Sequence, residues 1–198
     1  MASAAGDQVN DSATSSVARR VYLPFVAIAA VVIAADQATK QWAVHRLSGG
    51  GSVHIVGSLE FRLAYNKGMA FSQGTSRGPL IAAVGFGIVA FLAIYARKAG
   101  SMPAVLLMGL VAGGALGNIS DRVFRSAGNG FLGGSVVDFI YLRWWPTFNL
   151  ADSCVVVGGI LLAVWVYRDG APDPDDSGSD DTSGGAEAGT HADSDVAT

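Results

Sequence analysis

The sequence predicts an all-α integral membrane protein: four transmembrane helices, with a small periplasmic or extracellular β element between helices 1 and 2. Three observations predict it. Hydrophobic residues make up 51% of the 198 and charged residues only 15%, against ~25% charged in an average soluble domain. Four apolar stretches, residues 21–44, 79–96, 102–119 and 148–167, each come near the ~20 residues a helix needs to cross ~30 Å of hydrocarbon. Finally, 79–96 carries no charge at all, whereas a helix of a soluble bundle needs a polar outer face.

The few charges are unevenly placed. Residues 169–198 hold nine of the 16 acids and no Lys or Arg, and residues 1–18 hold two more. Residues 19–168 therefore carry 13 bases against five acids, a net of +8 hidden inside an overall −3. The flanks, 1–18 and 169–198, are Ala, Gly, Ser, Thr and Asp with almost no large apolar residues, so disordered tails are expected there. The acidic one reads as a solvated tether or as a docking element. Between them lies the four-span domain, 19–168.

Span one follows Arg19 and Arg20. Its apolar run is long and carries Asp36, Gln37 and Lys40 where a cleavable signal peptide shows small residues, so it is expected to remain as a span. Next, segment 53–65 alternates: Val53, Ile55, Leu59, Phe61, Leu63 and Tyr65 on one face, His54, Ser58, Glu60 and Arg62 on the other. Period two predicts half-buried strands, with Gly57 and Ser58 marking a turn or bulge. Spans two and three are joined by a short link holding Arg97 and Lys98. The connection 123–147 is Gly-rich and then aromatic; Trp144 and Trp145, like Trp42, suit the membrane interface. Cys154, alone in the chain, lies in span four. It forms no internal disulfide, shows no metal spacing and reads as a small buried apolar residue. With Asp152 close by, a nucleophile is the other reading, though no His lies near.

Orientation rests on that short link. Arg19, Arg20, Arg97, Lys98 and Arg168 fall on one side; Arg46, Arg62, Lys67, Arg77, Arg122, Arg125 and Arg143 fall on the other. A raw count does not decide, but cations in short loops weigh most, which places both termini in the cytoplasm.

Of the five core acids, Glu60 sits on the polar face of a strand. Asp36, Asp121, Asp138 and Asp152 lie in or beside apolar sequence, where an ionisable group is expensive and is functional or paired. Asp36 and Lys40 stand i,i+4 on one helix face and can pair. Asp121 is expected to have Arg122 or backbone amides for company. Asp138 and Asp152 have no cation at helical spacing. Two readings are open for them: an acid–base pair, or structural caps, since each falls near an expected helix start. Alternation of the spans brings Asp36, Asn66, Asn118, Asp121, Asp138, Asn149 and Asp152 to one membrane face.

Five pieces of the chain carry a resemblance: Asp36-Gln37-Ala38-Thr39-Lys40, Asn66-Lys67-Gly68-Met69-Ala70-Phe71, Gly113-Gly114-Ala115-Leu116-Gly117-Asn118 with Asp121-Arg122, Val136-Val137-Asp138-Phe139, and Phe148-Asn149-Leu150-Ala151-Asp152-Ser153. Taken in this order over 36–153, they resemble the lipoprotein signal peptidases (signal peptidase II), four-span aspartyl peptidases of bacterial membranes. The resemblance implies substrates that are diacylglyceryl-modified prolipoproteins, cut before the lipid-bearing cysteine at the outer face of the cytoplasmic membrane. It makes Asp138 and Asp152 catalytic, places Asn66, Asn118, Arg122 and Asn149 along the substrate pocket, and groups Asp36 and Lys40, with Asp121, as a structural polar cluster. Neither cofactor nor metal is expected. Membrane phospholipids are the other expected partners, with no nucleic acid, and the enzyme is expected to be a monomer. The departures are the acidic tail, the extended N-terminus and a longer stretch at Arg125–Ser135; none touches a motif.

The residue types suit that chemistry. Hydrolysing a peptide bond without a metal or a nucleophile takes an activated water and a proton for the leaving amine, and two close carboxylates sharing a proton supply both. Asn149, at i−3 from Asp152, is placed to orient that carboxyl or the scissile carbonyl. Two other classes remain open. A small ion-coupled transporter would also carry intramembrane Asp and Asn, but would need polar residues at mid-depth on spans two and three. A membrane scaffold recruiting partners through its acidic tail would lose function with the tail.

Overall fold

The computed structural model describes residues 3–68, 78–125 and 132–169, with side chains from Arg20 onward. Four helices and four strands follow in order: α1 (Ser3–Leu47), β1 (Ser52–Val56), β2 (Leu59–Asn66), α2 (Gly78–Ala96), α3 (Met102–Phe124), β3 (Val136–Leu142), β4 (Trp145–Phe148) and α4 (Leu150–Asp169). Arg20–Leu47 of α1 and the whole of α2, α3 and α4 are long and apolar enough to cross a membrane, as the hydropathy predicts. Helix α1 runs on from Ser3, where composition reads as a tail. The expected C-terminal tail beyond Asp169 lies outside the described residues.

Helix α3 is the hub. More than half of its apolar stretch is buried, 56% against 22% or less in the others, because it packs on α1, α2 and α4 together. Its sequence allows this approach. Gly109, Gly113 and Gly117 recur every four residues, so they line one stripe of the helix, and small residues there let two backbones close up. A Cβ at Gly109 would meet the Phe25 carbonyl oxygen at 2.7 Å, one at Gly113 would meet Ala29 Cα at 2.9 Å, and one at Gly117 would meet Asp36 Oδ2 at 2.7 Å. Gly114 faces the other way, onto α4, with the Ala151 carbonyl oxygen 2.5 Å from the position of a Cβ. Gly113→Ala and Gly114→Ala are therefore expected to destabilise by about 1–3 kcal/mol each through overpacking. Gly159→Ala, which meets nothing within 4 Å, should be neutral or gain up to ~1 kcal/mol of helix propensity. Thermal unfolding of the three variants in detergent separates these outcomes.

The strands make one antiparallel sheet in the order β1-β2-β3-β4. The β1–β2 hairpin matches the alternation of 53–65, and its turn uses Gly57 at a φ of +58°, a conformation that favours glycine. The other two strands come from the connection after α3 and enlarge the β element beyond the one expected between the first two helices. Val136, Val137, Asp138 and Phe139 are all buried, so this strand is covered on both faces and its sequence shows no alternation. The sheet docks on the end of α1: Trp42, Phe61 and Phe139 meet edge to face, with centroids 5.5 to 6.3 Å apart, above Ala43 and Leu47. With Phe139 turned to that cluster, alternation sends Asp138 to the other side.

Candidate active site

At the sheet end of the bundle, α1, β2, α3, β3 and α4 place their polar side chains in one connected network. It begins with Lys40. This side chain is wholly buried, yet each of its three N–H donors has an acceptor: Asp36 Oδ2 at 2.8 Å, Asp121 Oδ2 at 3.1 Å and Asn118 Oδ1 at 3.0 Å. A buried ammonium survives only when so paired. Arg125 Nε completes the charge balance at 3.0 Å from Asp121 Oδ1, and Gln37 Nε2 donates to the same oxygen at 3.1 Å.

The expected Asp36–Lys40 pair is present. Of the two partners expected for Asp121, a backbone amide is present, Val137 N–H at 3.0 Å, and Arg122 is not: its place is taken by Lys40 and Arg125. Adjacent residues on a helix do not face each other, whereas residues four apart do, and Arg125 is the base at that spacing. Arg122 turns away from Asp121's oxygens and donates from Nη1 to the Asn118 carbonyl at 3.1 Å.

The buried carboxylates also anchor the two segments that carry the remaining aspartates. Asp36 Oδ1 accepts from Ala151 N at 3.1 Å, one residue before Asp152. Asp121 Oδ2 accepts from Val137 N at 3.0 Å, one residue before Asp138. Gly134 lets β3 come in this close: its N–H donates to the Arg122 carbonyl at 3.1 Å, and a Cβ there would lie 2.7 Å from the carbonyls of Asp121 and Arg122. A backbone amide on Asp121 is expected from the sequence, but which residue supplies it is not, and neither the Ala151 amide nor Gly134 is singled out by sequence patterns.

Asp138 sits mid-strand, not at a helix start, which removes the capping reading for it. Its Oδ1 accepts from Asn149 Nδ2 at 2.7 Å and its Oδ2 from Asn66 Nδ2 at 3.1 Å; Asn66 is fixed in turn by Gly68 N–H on its Oδ1 at 2.9 Å. Asp152 is a capping residue as well as a polar one. Asn149 Oδ1 accepts from Asp152 N at 3.0 Å and Asp152 Oδ2 accepts from Asn149 N at 3.1 Å, the reciprocal arrangement of a capping box at the start of α4. Asp152 Oδ1 also accepts from Asn118 Nδ2 at 2.7 Å, and Asn149 Nδ2 reaches Asn118 Oδ1 at 3.1 Å. One asparagine, Asn149, thus touches both carboxylates.

Their surroundings differ. Asp138 is 2% exposed, and burial, reinforced by the charge of Asp152, pushes its pKa from 3.8 up to about 6 against the opposing hydrogen bonds of Asn149 and Asn66. Asp152 is only half-buried and borders two cavities. One, of about 320 Å³, runs between the β3–β4 turn and α4 past Trp144, Trp145 and Phe148; the other, of about 280 Å³, lies among α2, α3 and α4. Both are lined mainly by apolar side chains. Arg122 borders the second, and its buried Nε has no hydrogen-bond partner among the described residues. Cys154 is half-buried on α4 beside Gly114 and joins no polar contact in this network. Among the described residues no cluster of His, Cys, Asp and Glu has the makings of a metal site.

A bundle of membrane-length helices with two carboxylates joined by amides at one end defines a membrane protein with a buried polar site. The comparisons make it more particular. The family described as Signal peptidase (SPase) II matches residues 28–168. A "Lipoprotein signal peptidase" of Rhodococcus jostii is 44% identical over 147 residues, covering 74% of this chain and 73% of that protein; one of Mycobacterium leprae is 42% identical over 74% and 72%. One of Streptomyces griseus is 36% identical over 78% and 79%. A solved bacterial membrane enzyme, determined in meso at 1.9 Å, superposes with a TM-score of 0.63 at 28% identity, covering 73% of this chain and 93% of its own. The chain belongs to the signal peptidase II family and is a membrane peptidase.

Proposed function

We propose that this chain is an aspartyl endopeptidase that removes signal peptides from lipid-modified prolipoproteins, cutting before the diacylglyceryl-cysteine, with Asp138 and Asp152 as its catalytic pair. The observation that carries this reading is the shared scaffold of the two carboxylates: each accepts two hydrogen bonds, and Asn149 contributes to both. In the reaction, the ionised member takes a proton from water as the water oxygen bonds to the scissile carbonyl carbon. The protonated member gives its proton to the leaving nitrogen as the C–N bond breaks. A carboxylate and an amine result. Arg122 Nε–H, with no partner among the described residues, is the donor for the negative charge that develops on the carbonyl oxygen. The two apolar cavities beside Asp152 suit a lipid-bearing, signal-bearing substrate arriving from the bilayer.

Incubation of the purified protein with a diacylglyceryl-modified prolipoprotein should release the signal peptide, and the unlipidated precursor should remain uncut. Efficient cleavage of the unlipidated form would overturn the substrate assignment.

The site belongs at the outer face of the cytoplasmic membrane, with both termini inside and the protein working as a monomer among phospholipids. The short Arg97–Lys98 link supports that orientation. A topology reporter fused after Gly100 should read cytoplasmic and one at Gly128 external; the reverse pattern moves the site to the inner face.

A further inference from the structure

We infer that Lys40, acting through the Asn118 amide, is a positioning residue that makes Asp152 the ionised base and leaves the catalytic proton on Asp138. The inference rests on the acid–base reading of the pair and says which member does which job.

The argument is a donor count. An ammonium has three N–H donors and no acceptor. Lys40 spends all three, and the third goes to Asn118 Oδ1. Asn149 Nδ2 donates to that same oxygen. Two donors on one oxygen settle which end of the amide is which, since the two ends of an asparagine are distinguished by their network. Asn118 must then turn its Nδ2 outward, and that group donates to Asp152 Oδ1 at 2.7 Å. The other oxygen of Asp152 accepts the Asn149 backbone N–H, a donor that cannot be reversed. Both oxygens of Asp152 therefore face donors whose direction is fixed, one by a buried charge and one by the backbone. A proton on Asp152 would have to displace one of them.

Asp138 differs in one respect. Its donors are both side-chain amides, Asn149 turned by Asp152 N–H on its Oδ1 and Asn66 by Gly68 N–H on its Oδ1; what sets it apart is that Asn66 is exposed, so that bond gives way to water or substrate. Access agrees with this division. Asp152 borders both cavities, where a base must meet water, while Asp138 lies behind it at 2% exposure. Burial raises its pKa to about 6, so it keeps its proton well above the range in which an ordinary carboxyl loses it.

Among the described residues, the charged groups of the network around the pair include Lys40 and Asp36 from α1, and Asp121, Arg122 and Arg125 from α3; Gly78–Ala96 of α2 carries no acid or base. Lys40 reaches Asp152 through the single Asn118 amide; its charge also favours the ionised form of Asp138, where burial outweighs it. Arg122 acts on both carboxylates and so does not distinguish them.

Asn118→Asp tests the relay. The new carboxylate keeps the size and still accepts from Lys40 and Asn149, but it donates to Asp152 only when protonated. We expect kcat at neutral pH to fall at least ~100-fold, with KM changed less than about threefold, and to recover on acidification. Asn118→Ala should lose activity with no acid recovery. A loss in Asn118→Asp that is uniform with pH, or that falls in KM, overturns the relay. Should neither variant fold, infrared difference spectra at about pH 5 decide the same point. The protonated carboxyl band should vanish in Asp138→Asn and persist in Asp152→Asn, and the opposite result overturns the assignment. Failure of the catalytic pair itself is separate: it would show as turnover retained in either Asp→Asn variant.

Discussion

Asp138→Asn and Asp152→Asn should each lower kcat by at least ~100-fold, leaving membrane insertion and substrate binding nearly intact, and the double variant should be scarcely worse than either. Asparagine preserves the size of the side chain and most of its hydrogen bonding to Asn66, Asn118 and Asn149, so the fold has little reason to change. What is lost is the proton that one carboxyl delivers or the charge with which the other takes one. Residues acting as a unit are non-additive, because the second loss removes nothing that still works. The pH dependence follows from the raised pKa of Asp138. The group is held protonated between 3.8 and about 6 by burial in the folded protein, so the active form is lost as pH rises through about 6. Hence kcat/KM should fall along an alkaline limb with an apparent value near 6, a property of the coupled pair. The limb of kcat should lie higher, since bound substrate buries the carboxyl further. Pre-steady-state and steady-state cleavage of a lipidated peptide across pH measures both limbs. Near wild-type turnover in either single variant, or multiplied losses in the double, would remove the pair from the chemistry.

Much of this site is legible in the sequence, for identifiable reasons. Hydropathy marks the four helices because a span has to be apolar over its full length. Alternation of spans brings seven polar residues to one face, and the structure joins all seven by hydrogen bonds and ion pairs. The Asp36–Lys40 pair follows from helical spacing, and so does the Asn149–Asp152 capping box.

The rest was not legible because it depends on contacts between elements. Strand β3 hides its period, since both of its faces are covered; Asp138 therefore reads as a helix-start residue when it is a strand residue. Asp121 reads as a partner of its neighbour Arg122 or of backbone amides, and the base it holds is Arg125, at the i+4 position. The link from Asn149 to Asp138 spans two elements, and nothing in either segment announces it. The same holds for the backbone amides of Val137 and Ala151, whose sequence carries no donor signal of its own. Asn118 illustrates the limit most clearly. It reads as a pocket-lining residue, and only its place between Lys40 and Asp152 gives its amide a direction.

Lys40→Met should destabilise the folded protein by about 3–5 kcal/mol, the cost of leaving a buried charge without its partner. Both Asp36 and Asp121 are less than 2% exposed and both lean on this ammonium. Together with Arg125 the four groups balance to zero charge, so removing one base leaves a net negative charge on two buried carboxylates. Arg125→Ala should cost much less, below ~1 kcal/mol, because the Arg125 side chain is 29% exposed and its pair with Asp121 is partly screened. The double variant Lys40→Met with Asp36→Asn should recover part of the loss, since it withdraws one of the stranded carboxylates. Cys154 offers the readout: as the chain's one cysteine, half-buried in α4, it should react with a thiol dye only when the bundle opens. Its labelling temperature is expected to fall furthest in Lys40→Met, to rise again in the double variant, and to move little in Arg125→Ala. A Lys40→Met protein that labels at the wild-type temperature would show that the buried triad is not what holds α1, β3 and α4 together.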